Sequence, residues 1–173
     1  VFGIEGIDRS GYSFWRPGKN LGDPEFDPDF DIYPVEAQQA LFDACNRLRT
    51  FECTSTGCSQ GLLAWPKSVS CFIEAFSTWH NATYAIPLPS NAMTREQFLG
   101  RLKDFRENDT DFQTQIGFVG GELKFVVFDF LLTMVFSEGY DNTGNVIDAI
   151  NDFVSETKSA TPDQLQAVFI DGD

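Results

Sequence analysis

Four cysteines lie close together in the chain, and they limit the possible folds more than any other feature of the sequence. They occupy positions 45, 53, 58 and 71, and two glycosylation sequons follow them, Asn81-Ala-Thr83 and Asn108-Asp-Thr110. Paired thiols and N-linked glycans are typical of oxidising compartments. Neither a signal peptide nor a membrane span is recognisable in the sequence. We therefore interpret residues 1–173 as a single ectodomain of a longer, membrane-embedded protein, on the extracellular or lumenal face of a plasma membrane or endomembrane.

The four cysteines can pair in three ways. We favour Cys45–Cys71, which would join two predicted helices, with Cys53–Cys58, which would close a short loop. The alternative is a zinc site, but the four residues between Cys53 and Cys58 make a wider spacing than the usual zinc knuckle. Each sequon lies just after a predicted helix, where a glycan on Asn81 or Asn108 would be exposed.

Hydrophobic periodicity and turn signals predict four helices and four strands. The helices are predicted from Pro34 to Arg49, from near Ser68, from a capping box at Thr94-Arg95-Glu96-Gln97, and from a cap at Asn142 or Thr143. The strands are predicted at residues 1–8, 115–119, 122–135 and 165–170, with a tight turn at Gly120-Gly121. Residues 9–33 read as a long loop, and the apolar run 125–136 as a strand buried on both faces.

Without its two middle helices, this order is strand, helix, hairpin, helix, strand. It predicts an α+β fold of the ferredoxin-like, split βαβ type, in which an antiparallel sheet is covered by helices on one face. Residues 1–49 and 111–173 would form this core. Residues 50–110 would be a helical, Cys-rich insertion that contains the disulfides.

The net charge of −14 bears on the class of partner. It argues against nucleic acid, because binding to phosphates needs clustered Lys and Arg. It argues in the same way against an anionic lipid surface. The sequence also lacks a nucleophile elbow, a zinc-protease helix motif and a phosphate-binding glycine loop. We therefore predict no enzymatic activity and no cofactor.

Two other features of the sequence are candidates for a metal-binding or a catalytic site. The acidic run Asp23, Glu25, Asp27, Asp29 and Asp31 would place five carboxylates on one face of an extended strand, which suits calcium. The loop lacks the Gly and bidentate Glu of an EF-hand, so we predict a solvated acidic loop and no metal. His80 is the only histidine, and its place between Trp79 and a sequon indicates the surface rather than a catalytic cleft.

Several segments resemble one family along most of the chain. They are Val1-Phe-Gly-Ile-Glu-Gly, Phe30-Asp-Ile-Tyr-Pro-Val-Glu-Ala-Gln-Gln-Ala-Leu, Ser70-Cys-Phe-Ile-Glu-Ala-Phe-Ser-Thr-Trp, Gln97-Phe-Leu, Gln115-Ile-Gly-Phe, Glu122-Leu-Lys-Phe-Val and Val168-Phe-Ile-Asp-Gly-Asp. Together they resemble the second extracellular domain of the Patched, Dispatched and Niemann–Pick type C transporters, a branch of the resistance–nodulation–division (RND) superfamily. The likeness to Dispatched is the strongest of the three.

The resemblance implies a domain of a multi-pass permease that shapes the path of a sterol or a lipidated cargo. Its partners would be the other ectodomain and the transmembrane region of the same protein. In this interpretation Phe14, Trp15, Phe26, Phe30 and Trp65 are candidates for ligand or partner contact. The alternative function is a secreted or cell-surface protein-interaction module without transport activity.

Overall fold

The computed structural model describes residues 1–11, 22–53, 62–133 and 140–170, with the backbone alone for 140–142. In these ranges the chain forms four α-helices and six short β-strands. The helices are α1 (Val35–Arg49), α2 (Phe72–Tyr84), α3 (Arg95–Asn108) and α4 (Tyr140–Ala160). The strands are β1 (Ile4–Asp8), β2 (Asp23–Phe26), β3 (Ser70–Cys71), β4 (Ile116–Val119), β5 (Glu122–Val126) and β6 (Phe128–Asp129). The mixture of helices with small antiparallel sheets agrees with the predicted α+β class.

The strands pair antiparallel as β1–β2, β3–β6 and β4–β5. The predicted hairpin is confirmed: Gly120 and Gly121 join β4 to β5 with φ angles of 62° and 88°. Glycine adopts such positive angles without a Cβ clash. The hairpin register shifts between Gly117 and Phe118. A Cβ atom on Gly117 would clash with the Phe125 ring, so any larger residue would force this ring to move from where it crosses the strand.

The two ends of the described chain lie side by side. The nitrogen of Val1 donates to the carbonyl of Phe169 at 2.8 Å, and the nitrogen of Phe169 donates back to Val1 at 2.8 Å. On its other side the N-terminal segment pairs antiparallel with β5, because Phe2 and Val126 exchange both backbone hydrogen bonds. The order across these segments is therefore 167–169, 1–3, β5 and β4.

The predicted capping box opens α3. The hydroxyl of Thr94 accepts from the Gln97 nitrogen at 3.3 Å, and the Gln97 side-chain oxygen accepts from the Thr94 nitrogen at 3.0 Å. Two backbone donors that lack a helical partner are satisfied in this way. The helix then buries Phe98, Leu102 and Phe105 against the core.

Aromatic rings fill the centre of that core. The Phe76 ring of α2 lies 5.6 Å from Phe98 and 5.5 Å from Phe105, which are edge-to-face and tilted contacts. Such ring pairs add to the stabilisation that comes from burial alone. Small and aliphatic side chains of α1 belong to the same buried cluster: Ala37, Ala40, Leu41, Ala44 and Leu48. The division of the chain into a core and an insertion stays a prediction.

The long loop predicted at 9–33 is wrong in part, because Asp23–Phe26 forms β2. This segment pairs with β1 from Ile4 opposite Phe26 to Asp8 opposite Asp23. Asp, Glu and Pro are depleted in strands, so the residue types of this segment did not indicate a strand. Likewise α2 begins at Phe72 rather than near Ser68, because Ser70 pairs with Asp129 as part of β3.

Two predictions near the C-terminal half also need correction. The strand predicted at 122–135 ends at Val126, since β6 pairs with β3 instead of continuing the hairpin. Leu131 is 68% exposed, so the apolar run is not buried on both faces. The strand predicted at 165–170 is wrong: Leu165 ends a 3₁₀ turn (Asp163–Leu165), and the residues after it form a single bridge at Val168. The helix α4 starts at Tyr140, before the predicted caps at Asn142 or Thr143.

Candidate ligand cleft

An apolar cleft of about 40 Å³ lies where α1, α4 and β6 meet the paired terminal segments. Aromatic and aliphatic side chains make up most of its lining: Phe2, Leu48, Phe128, Phe130, Phe153 and Val154. Phe2 and Phe128 contact each other edge to face, with ring centroids 5.4 Å apart. An apolar lining of this kind suits hydrocarbon rather than ions, and the volume is far below the roughly 300 Å³ or more of pockets that enclose a whole ligand.

Helical spacing places the cleft residues of α4 on one face. Phe153, Val154 and Thr157 follow one another at intervals of one and three residues, so they lie on neighbouring rows of the helix. Ala44 and Leu48 of α1 are four residues apart and face them. Among the lining side chains that the structure describes, Thr157 is the only polar one.

Two larger cavities are polar and acidic. One, of about 420 Å³, lies between the end of α1 and α4 and is lined by Glu52, Asp148, Asp152 and Glu156 beside Arg47. The other, of about 350 Å³, is lined by acidic side chains from several segments together with Lys158. Neither suits a hydrocarbon, because unpaired carboxylates are costly to bury beside it. In the described ranges no group of His, Cys, Asp or Glu side chains could hold a metal ion.

The structure separates the aromatic residues proposed as contacts. Phe30 is buried in the core, and Phe26 stacks on Phe125 with ring centroids 6.2 Å apart. Trp65 is 58% exposed, and its backbone nitrogen donates to the backbone carbonyl of the exposed Leu131 at 3.1 Å. Phe14 and Trp15 lie outside the described residues. Trp65 and Leu131 therefore form an exposed apolar pair, whereas Phe30 is packed inside and Phe26 is half-buried against Phe125.

Cys45 and Cys71 form a disulfide, the pairing that sequence analysis favoured. It joins α1 to the residue before α2. Cys45 and Cys71 are therefore not available as thiolate ligands for the alternative zinc site. Cys53 is also disulfide-bonded, whereas its predicted partner Cys58 lies outside the described residues. A disulfide is consistent with an oxidising extracellular or lumenal environment.

Both sequon asparagines are exposed, but they lie within helices rather than after them. Asn81 lies in the last turn of α2, which continues to Tyr84. Asn108 is the last residue of α3, and its side-chain nitrogen donates to the carbonyl of Asp104 at 2.7 Å. Glycosylation at either position stays a prediction.

The acidic run 23–31 does not converge on one point. Asp23 and Glu25 lie on β2, Asp27 accepts from the Asp29 nitrogen at 2.8 Å, and Asp31 forms an ion pair with Arg95 at 3.0 Å. Local turns and a distant arginine thus use some of these carboxylates.

His80 is buried, so its predicted surface location is wrong. Its Nδ1 lies 2.7 Å from the carbonyl of Ile86, and its Nε2 lies 2.9 Å from a guanidinium nitrogen of Arg101. A neutral ring with the proton on Nδ1 satisfies both contacts, because Nε2 then accepts from Arg101. Burial lowers the pKa of His80 below its ordinary value of 6.5, and the charge of Arg101 lowers it further, while the contact with Ile86 opposes them.

No protein-family model matches this sequence, and no curated protein shows significant similarity to it. In the described part of the chain, every helix is too short or too polar to cross a bilayer.

Sequence reasoning found part of the cleft. Phe153 and Val154 belong to the apolar stripe whose helical spacing predicts the fourth helix, and Phe128 and Phe130 lie in the predicted apolar run 125–136. Thr157 was missed, although its position one turn after Phe153 places it beside that stripe.

Proposed function

We propose that this chain is an extracellular or lumenal domain of an RND-type lipid or sterol transporter of the Patched and Dispatched type. In that role it would form part of the path of a hydrophobic or lipidated cargo. The observation that carries the proposal is the apolar cleft beside the paired terminal segments. A cargo path needs an apolar surface, and here that surface lies where the two ends of the domain meet.

The geometry of the ends supports this proposal. A domain carried between two consecutive membrane helices must begin and end at neighbouring points, and Val1 and Phe169 are hydrogen-bonded to each other. The cleft is lined by Phe2 and Val168 from these same segments. It would therefore face the membrane region, from which a hydrocarbon chain could enter.

The order of the paired segments supports a ferredoxin-like core for the domain. In a split βαβ fold the first strand lies between the last strand and the second strand of the hairpin. Here residues 1–3 lie between 167–169 and β5, and both pairings are antiparallel. We therefore propose the split βαβ arrangement, shortened at its C-terminal edge to one bridge.

The exposed pair of Trp65 and Leu131 supports contact with the other ectodomain. Large apolar side chains that stay exposed next to each other are typical of protein interfaces. Aromatic residues such as Trp also contribute strongly to binding energy at interfaces. This pair replaces the buried Phe30 in the proposed partner surface, and the half-buried Phe26 stays a candidate.

Native mass spectrometry with lipid extraction tests the proposal on the domain purified from a secretory host. We expect a sterol or acyl lipid to co-purify in stoichiometric amount. Ala44→Leu, which adds bulk at the cleft, should reduce the bound fraction, whereas Ala160→Leu at the exposed end of α4 should leave it unchanged. A domain that stays ligand-free in the presence of added lipid would count against a cargo path.

The exposed Trp65 and Leu131 also favour a second function, a secreted or cell-surface interaction module without transport. The translated full-length transcript separates the two functions. Apolar spans directly before Val1 and after Asp173 are expected for a transporter. A transcript without such spans would favour the interaction module.

A further inference from the structure

The hydroxyl of Thr157 is buried beside the cleft without a hydrogen-bond partner. The residue is 2% exposed, and its Oγ1 atom has no donor or acceptor within reach. Threonines in helices commonly donate to a carbonyl one turn earlier, as Thr78 does to Glu74 at 2.9 Å. Thr157 makes no such bond, although Phe153 lies at the corresponding position of the same helix.

An unpartnered buried hydroxyl is unfavourable by about 1–3 kcal/mol, so its retention calls for a physical reason. A water molecule is a poor explanation. The cleft of about 40 Å³ has room for one, but a buried water needs two to four polar partners. The other lining side chains are apolar and offer none.

We infer that Thr157 is the polar anchor of the cleft and hydrogen-bonds the single hydroxyl group of an otherwise apolar ligand. The inference rests on the proposed function and adds the residue that recognises the polar end of the ligand, which is an apolar alcohol. The hydroxyl of Thr157 can both donate and accept, so it matches an alcohol in either orientation. Phe153 and Val154, on the same face of α4, would contact the adjoining carbons.

The size of the cleft limits how much of the ligand it holds. A volume of about 40 Å³ accommodates the hydroxyl and the first carbons but not a whole lipid. The remainder of the ligand would lie outside the cleft. The anchor would thus select the polar end of the ligand and leave the length of its hydrocarbon part unspecified.

The test compares the affinities of n-octanol and n-octane for the domain. Binding is measured by NMR titration, from the shifts of the methyl groups that line the cleft. The variants are Thr157→Val, which replaces the hydroxyl with a methyl group of similar size, and Thr157→Ser, which keeps the hydroxyl. We expect Thr157→Val to bind n-octanol about fivefold more weakly, without weaker binding of n-octane, since the new methyl group makes the lining more apolar. Thr157→Ser should keep the preference for the alcohol.

The ligand-free stability of Thr157→Val provides a second readout. Removal of an unpartnered hydroxyl should raise Tm by about 2–4 °C. A lower Tm would show that the hydroxyl is bonded in the free protein and would overturn the anchor. Equal affinity of wild type and Thr157→Val for n-octanol would overturn it as well, while leaving the cleft as a hydrocarbon site. If neither probe binds the wild type, the cleft and the proposed function fail together.

Discussion

His80 shows how a titratable ring is held neutral inside an apolar core. Its two nitrogens are used by the Ile86 carbonyl and by Arg101, and its ring packs against Phe76 and Tyr84. Arg101 also lies over the Tyr84 ring, with its guanidinium carbon 3.9 Å from the ring centroid. Protonation of His80 would remove the acceptor of Arg101 and place two positive charges side by side.

This arrangement predicts that stability falls with acidification. Because the folded pKa of His80 lies below its unfolded value of 6.5, the unfolded state binds the proton more readily. The contribution of His80 is therefore complete above pH 6.5 and is lost as the pH falls through the folded pKa. Urea denaturation at several pH values between about 7 and 5, where few carboxylates titrate, should show this decrease.

His80→Gln is the matched control, because an amide can still hydrogen-bond but does not titrate. We expect it to be less stable than wild type at neutral pH and to vary less between about pH 7 and 5. NMR titration of the wild-type ring gives the folded pKa directly. A value at or above 6.5 would contradict the buried, neutral state.

At the scale of single elements, the start of each helix depends on the residues that its first turn contacts. The α3 cap is built from side chains three residues apart, so it could be predicted from four letters of sequence. The start of α2 could not, because it depends on Ser70 and Cys71 pairing with residues that lie far away in the chain. Local signals predict ends that local contacts determine, and they fail where a distant partner intervenes.

The cap of α3 predicts a measurable loss on Thr94→Ala. The substitution leaves the Gln97 nitrogen without its acceptor and should lower the free energy of unfolding by about 1 kcal/mol. Thr94→Ser keeps the hydroxyl and should be close to wild type. Urea denaturation of both variants checks the difference, and equal losses for Ala and Ser would show that the side-chain cap contributes nothing.

The disulfide between α1 and the start of α2 predicts a larger loss. Its residues are separated by 26 positions. In the chain-entropy account, closing a loop of this length stabilises by about 3 kcal/mol. The double variant Cys45→Ala with Cys71→Ala should lose about this amount in chemical denaturation, and Cys53→Ala with Cys58→Ala should lose less if it opens the shorter predicted loop. Alkylation of all four thiols in the unreduced native protein would refute both bridges.

At the scale of the whole molecule, negative charge dominates the surface. The chain has 26 acidic and 12 basic side chains, and four salt bridges are present among the described residues. Most carboxylates are therefore not neutralised by a direct partner in the described part of the structure. Their mutual repulsion opposes the compact state.

This charge predicts that moderate salt stabilises the protein. Raising NaCl from about 10 mM to about 200 mM shortens the screening length from roughly 30 Å to less than 10 Å, which weakens repulsion between surface carboxylates. We expect Tm to rise over this range in differential scanning calorimetry. Choline chloride should act equally, since the effect is general screening, and a response to sodium alone would point to specific ion binding instead.

At this scale, the helices could be predicted from the sequence more completely than the pairing of the strands. The positions of α1 and α3 and the β4–β5 hairpin followed from periodicity, a cap and a pair of glycines. The β1–β2 and β3–β6 sheets could not be foreseen, because β2 is rich in acidic residues and strands as short as β3 and β6 carry no alternation of their own. The cleft depends on the same long-range pairing, which explains why Phe2 and Thr157 could not be connected from the sequence.

The pairing of Val1 with Phe169 also determines how the domain responds to tension. The two segments run antiparallel, and their outermost residues are bonded to each other. A force that pulls these ends apart loads one hydrogen-bonded pair at a time, as in a zipper, rather than all of them together. The domain should therefore begin to open at low force and from its ends, with the helices yielding later and the Cys45–Cys71 bridge keeping residues 45–71 as a closed loop.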